Sequence, residues 1–328
     1  MERLCDPPVC QTHTLSNGLT VILKEDHKAP VATAELWVRT GALNEANITN
    51  GLSHFLEHVL FKPNKFGIRF DDVVESAGGK LNGGTSYDFT YYYATAPSAN
   101  LPSVIQGLAD LMFEPAFRPE EVDLEREVVI QEINRTEDLP ERILDDVFQE
   151  TLFLAHPYHQ RVLGPMENIR TVSLETMKSY YRAFYSPSNM VLVIVGDINP
   201  SSVLQQIKAV YDKYPSAPTP LLPHTREPSI QEARKKTISK DIEQSYLLLG
   251  YVGPPARDTD TYVFAVIQGI LSNGLSSRFN QIIKEQKKLV NSISANHDPR
   301  VEASVFYVSA TFQPDKEAEV ERAVLEEL

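Results

Sequence analysis

The sequence predicts an α+β fold built from two related units, each a mainly antiparallel sheet covered by helices. Three observations carry this. Short β-branched and aromatic runs alternate with amphipathic helical stretches. Five prolines between Tyr214 and Pro228 interrupt the chain. After that interruption the order of elements repeats, which is the mark of a duplicated unit.

The elements follow in order. Gln11–Thr14 and Thr20–Lys24 read as a hairpin, because Ser16-Asn17-Gly18 between them supplies the Asn-Gly turn signal. Val31–Val38 is a strand rich in β-branched and aromatic residues. Gly51–Phe61 is a helix and Phe70–Ala77 a shorter one. Lys80–Ala96, rich in Tyr and Thr, is a pair of strands. Asn100–Phe113 is an amphipathic helix. Pro119 opens a long helix to about Arg135, since proline suits the first helical position. Pro140–Leu154 and Ser173–Tyr185 are further helices. Met190–Gly196 is an apolar run typical of a buried strand.

The prolines make residues 219–228 a stiff spacer, so the domains are expected at 1–218 and 229–328. Beyond the spacer, Lys236–Val252 reads as strands, Thr261–Leu271 and Gly274–Glu285 as helices, Ser292–Ala310 as a strand pair and Glu317–Leu328 as a helix. The second unit is shorter by roughly a hundred residues than the first. It lacks a counterpart of Met190–Gly196 and is expected to be incomplete: a fragment of a longer protein, or a truncated homologue completed by a partner.

Composition narrows the function. With 31 basic and 44 acidic residues the net charge is −13. An acidic surface repels nucleic acid and anionic membranes. No apolar run is long enough to span a bilayer. The N-terminus shows no basic segment followed by an apolar one, which predicts a cytoplasmic protein, or a periplasmic or organellar one if the terminus was trimmed. Cys5 and Cys10, even with His13, are too few for a metal site and read as thiols in a reducing compartment.

The chemistry concentrates in His54-Phe55-Leu56-Glu57-His58. On a helix, Leu52, Phe55, Leu56, Val59 and Leu60 form one apolar stripe, and His54, Glu57 and His58 lie opposite. Two imidazoles four residues apart can hold one metal ion, with Glu57 one turn away to take a proton from water. The plain alternative is a solvated polar face with two chance histidines. A catalytic zinc needs a third protein ligand. The helix after Pro119 offers Glu125 and Glu132, seven apart on a face shared with Val128 and Val129, with Glu121 near it. Carboxylates within an apolar stripe need partners. One could ligate the metal while the other holds a ligating histidine, or both could pair with arginines. Helical geometry does not order them.

H-x-x-E-H is the inverzincin arrangement. Together with Glu125-Arg126-Glu127-Val128-Val129-Ile130-Gln131-Glu132, and with Ser16-Asn17-Gly18-Leu19, Gly78-Gly79-Lys80-Leu81-Asn82 and His156-Pro157-Tyr158, it resembles the pitrilysin/insulinase family of zinc metallopeptidases, which includes the mitochondrial processing peptidases and many bacterial homologues. The resemblance runs from Leu15 to about Phe312. It implies one Zn²⁺ per chain on His54, His58 and Glu132, Glu57 as general base and Glu125 as the partner of a ligating histidine. It also implies that Arg300 and Tyr307, seven apart as in the family, hold the substrate carbonyl. The halves would form a clamshell, with a peptide or unfolded polypeptide lying extended in the cleft against Leu81, Asn82, Gly83, Gly84 and Thr85. The implied activity is zinc-dependent endopeptidase, as a homodimer or heterodimer. The alternative is a catalytically silent subunit supporting a partner peptidase.

Overall fold

The computed structural model of the chain describes residues 10–328, so Cys5 lies outside the described residues, while Cys10 is exposed. Two compact units emerge. One runs to Ile133 and resumes over Gln160–Pro223; the other joins Asn134–His159 to His224–Leu328. The segment 134–159 therefore packs with the second unit, whereas a linear division at residue 218 groups it with the first.

The first unit holds a six-stranded sheet made of β1 (Gln11–Thr14), β2 (Thr20–Glu25), β3 (Val31–Val38), β4 (Lys80–Thr85), β5 (Thr90–Pro97) and β6 (Met190–Gly196), in the order β1-β2-β6-β3-β5-β4. Only the β2–β6 pair is parallel. The hairpin forms where Asn17-Gly18 predicts it, and Asn17 also donates to the carbonyls of Tyr211 and Tyr214. Alternation works as the period of two requires: Ala32, Ala34, Leu36 and Val38 of β3 are buried, as are Met190, Leu192 and Ile194 of β6. Helices α1 (Leu52–Leu60), α2 (Phe70–Ser76), α3 (Leu101–Phe113), the first part of α4 (Pro119–Glu137), α6 (Met166–Thr171), α7 (Leu174–Phe184) and α8 (Pro200–Tyr211) complete this unit. Ser173 caps α7, its hydroxyl accepting from the Thr176 amide.

The second unit holds α5 (Pro140–Leu152) and a three-stranded antiparallel sheet, β7 (Ser245–Val252), β8 (Ser292–Asp298) and β9 (Val305–Phe312), in the order β7-β9-β8. This matches β3-β5-β4 of the first sheet, and both β3–β5 and β7–β9 pair over eight residues. The expected repeat is thus visible in strand order and pairing, although the second sheet has three strands where the first has six. Helices α9 (Asp260–Ser272) and α10 (Glu317–Glu327) follow the expected positions, and an i→i+5 helix spans Phe279–Gln286. It starts later than the expected Gly274–Glu285 helix because Gly274, at φ +83°, makes a turn first. The strand expected over 236–244 does not form. Its Ile238 and Ile242 are each 41% exposed and bury too little apolar surface to hold it on a sheet. α9 also leaves Tyr262, Val263, Val266 and Ile270 more than half exposed. No helix among the described residues is long and apolar enough to cross a membrane.

One tie within the second unit has a measurable consequence. The Glu227 carboxylate accepts from the amides of Leu154, Ala155 and His156 at 2.9, 2.8 and 3.1 Å, and from Arg234 at 3.2 Å. Burial pushes its pKa up, but these donors outweigh it and hold the carboxyl below the usual range. A depressed folded pKa adds stability above the unfolded pKa, and that stability is lost as pH falls through the folded one. Glu227→Gln is expected to destabilise by about 1–3 kcal/mol near neutral pH. The deficit should shrink below about pH 4, where the wild-type carboxyl takes up its proton. Unfolding curves of both proteins across that range check it. A deficit that stays constant with pH would contradict it.

Candidate metal centre

The site is built on α1. Gly51 precedes the helix at φ +96°, and a Cβ there would lie 2.5 Å from the Leu163 carbonyl oxygen. Only glycine fits without strain. Glu45 then caps the helix. One of its oxygens accepts from the Gly51 amide at 2.7 Å and from Asn50 at 2.9 Å, and the other from the Ser53 amide at 2.6 Å. These amides would otherwise be unsatisfied, and a carboxylate at the N-terminus also meets the positive end of the helix dipole. Ser53 hydrogen-bonds the buried Tyr180 hydroxyl, which reaches Thr40. The stripe Leu52, Phe55, Leu56, Val59 and Leu60 is buried as expected.

The opposite face is not solvated. His54 and Glu57 are 7% and 8% exposed. Buried polar groups of this kind need partners, and α4 and β4 supply them. Glu132 Oε2 stands 3.6 Å from His54 Nε2 and 3.5 Å from His58 Nε2. Glu125 Oε2 lies 3.3 Å from His58 Nδ1, and its other oxygen pairs with Lys62. The Thr85 hydroxyl donates to Glu57 at 2.6 Å. One donor atom each from His54, His58 and Glu132 lie within 4.8 Å of one another. Glu121 is engaged by Arg118 at 3.1 Å, so it stands apart from this group. On α4, Val129 is buried with Glu125, while Val128 is 48% exposed, so the apolar stripe is narrower than the sequence suggests. Arg126 fixes α4 against the site helix, donating to the Ile169 carbonyl with its guanidinium 5.2 Å from the Phe55 ring centroid.

The charges are tuned by this packing. Burial, then the neighbouring His58, pushes His54 down to about 4. Burial opposes charge on His58 too, but hydrogen bonds to Glu125 and Glu132 outweigh it and push it up to about 9. Burial raises the Glu57 pKa against the opposing Thr85 hydrogen bond.

Arg300 and Tyr307 lie in the second unit. Arg300 is buried, donates to Asp298 at 2.8 Å and to Gln149 at 3.1 Å, and rests over the Tyr158 ring. Tyr307 sits on β9 beside Phe148. Gly83 and Gly84 lie on β4, an edge strand, where a Cβ would meet the rings of Phe61 and Tyr91 at 2.9 and 2.7 Å. A side chain at either position would have to displace one of these rings. Sequence reasoning missed Glu45, Lys62 and the Thr85–Glu57 bond. Lys62 was within its reach, one helical turn beyond His58.

Comparison with known proteins places the chain in a family. Residues 20–166 match the family described as Insulinase (Peptidase family M16) and residues 171–328 the one described as Peptidase M16 inactive domain. An uncharacterized zinc protease of Mycobacterium leprae is 30% identical over 98% of this chain and 73% of its own length. The chain belongs to the insulinase family, peptidase family M16. The zinc protease PqqE of Helicobacter pylori is 29% identical over 95% of this chain and 72% of that protein. A crystal structure of a protease from Helicobacter pylori superposes with a TM-score of 0.93 at 28% identity, covering 98% of this chain and 79% of that one. Pitrilysin, at 22% identity and a TM-score of 0.77, shares the fold.

Zinc use at the family level fits the donors present. Ligands of a tetrahedral zinc lie about 2.0–2.2 Å from the ion and hence roughly 3.4 Å from each other. The two spacings from Glu132 Oε2 to the imidazole nitrogens, 3.6 and 3.5 Å, come close to that edge.

Proposed function

We propose that this chain is a zinc-dependent endopeptidase acting on peptides or unfolded polypeptide. The observation that carries the reading is the convergence of His54 Nε2, His58 Nε2 and Glu132 Oε2 beside Glu57. These three residues would hold the ion, and Glu125, bonded to His58 Nδ1, would orient that imidazole. Zinc bound there supplies Lewis acidity toward water and toward a peptide carbonyl. Glu57 accepts the proton of the attacking water and returns it to the leaving amine. Its buried setting keeps it close to the reacting atoms and away from bulk water. Thr85 holds the carboxylate of Glu57 in place. The free edge of β4, over Leu81–Thr85, offers backbone groups to an extended substrate. Arg300 and Tyr307 are assigned, on the family resemblance, to stabilising the oxyanion.

The second reading is a silent subunit that supports an active partner, and the intact donor set with Glu57 weighs against it. The test is cleavage of a quenched fluorescent peptide by the purified chain. Activity is expected to vanish with a zinc chelator and to return when zinc is restored. Zinc binding with no cleavage would favour the silent subunit. Cleavage that ignores the chelator would overturn the zinc mechanism.

A further inference from the structure

Lys62 is used by none of the steps above. It stands four residues after His58, just past the end of α1, where its amide donates to the Val59 carbonyl. Its ammonium pairs with Glu125 Oε1 while the other oxygen of that carboxylate faces His58 Nδ1. The Glu125 side chain is only 9% exposed. A carboxylate so buried needs a compensating cation. An imidazole that binds metal through Nε2 is neutral and offers Nδ1–H, so it cannot be that cation once the ion is in place. Among the described residues the side-chain partners of Glu125 are His58 and Lys62.

We infer that Lys62 is a positioning residue of the metal centre: it holds Glu125 aimed, and Glu125 in turn fixes the His58 ring. This rests on the assignment of His58 as a zinc ligand. Arginine keeps the positive charge and can pair with a carboxylate, so it is the conservative replacement for the test.

The readout is the zinc dissociation constant, measured by competition with a chromophoric chelator, alongside a thermal melt of each zinc-free protein. Lys62→Met is expected to weaken zinc by up to about 10-fold, the lower end of the range for loss of the group directly behind a ligand, because Lys62 acts through Glu125. Lys62→Arg should restore most of the affinity. In a Glu125→Gln background, Lys62→Met should add little, because its effect runs through Glu125. The inference is overturned if Lys62→Met binds zinc as the wild type does, if Lys62→Arg fails to rescue while melting normally, or if the two losses add. Wild type that binds zinc while Lys62→Met is unaffected would sink this inference alone. Wild type that binds no zinc would sink the zinc assignment as well.

Discussion

Glu57→Gln is expected to keep zinc bound and to lower kcat/KM for peptide cleavage at least about 100-fold, the lower end for loss of a general base. Glutamine preserves the shape of the side chain, and its carbonyl can still accept the Thr85 hydroxyl that reaches Glu57. The buried face of α1 should therefore stay in place. An amide, however, cannot take the proton of the attacking water. His54, His58 and Glu132 are untouched, so metal affinity should change little. Steady-state kinetics and zinc content on one preparation read both quantities. Cleavage at the wild-type rate would remove Glu57 from the role of base. Loss of zinc would instead place Glu57 among the groups that hold the ion.

The second large effect concerns the helix that carries the site. Gly51→Ala is expected to destabilise the protein by about 2–4 kcal/mol. Two terms add. A residue with a side chain is strained at φ +96°, and its Cβ would lie 2.5 Å from the Leu163 oxygen, a backbone atom that cannot swing aside. Gly78 is the internal control, since its φ is +74° but a methyl group added there would meet nothing within 4 Å. Gly78→Ala should therefore lose only about 1 kcal/mol from backbone strain. Unfolding of both variants, compared with wild type, separates strain from collision. Equal losses at the two positions would show that the Leu163 contact relaxes freely. Gly51→Ala should also weaken zinc binding, because Glu45 caps α1 through the Gly51 and Ser53 amides and fixes where His54 and His58 stand.

Much of this is legible in the residues. β1, β3 and β6 begin and end where the Asn17-Gly18 turn, the β-branched and aromatic run and the apolar run predict. Helical spacing alone brings His54, Glu57 and His58 to one face. The partners on α4 are visible as Glu125 and Glu132, but helical periodicity cannot order them, since both share a face. The family resemblance orders them, and the fold sets them apart in the same sense, with Glu132 against two imidazole nitrogens and Glu125 against one imidazole and Lys62. Glu45 is beyond reach because its capping acts across six to eight residues of irregular chain, outside the short-range capping patterns. The helix over 200–211 is absent from the sequence-based reading although Asn199 and Pro200 form a helix start, and Asn199 indeed caps α8 by accepting from Ser202. The packing of 134–159 with the second unit depends on long-range contacts such as Gln149 with Arg300, which no local pattern encodes.

The most direct test of the zinc assignment is anomalous diffraction at the zinc edge from crystals of the zinc-loaded protein. One peak per chain is expected, about 2.0–2.2 Å from His54 Nε2, His58 Nε2 and a Glu132 carboxylate oxygen. A peak elsewhere, or one held by Glu125 in place of Glu132, would contradict it.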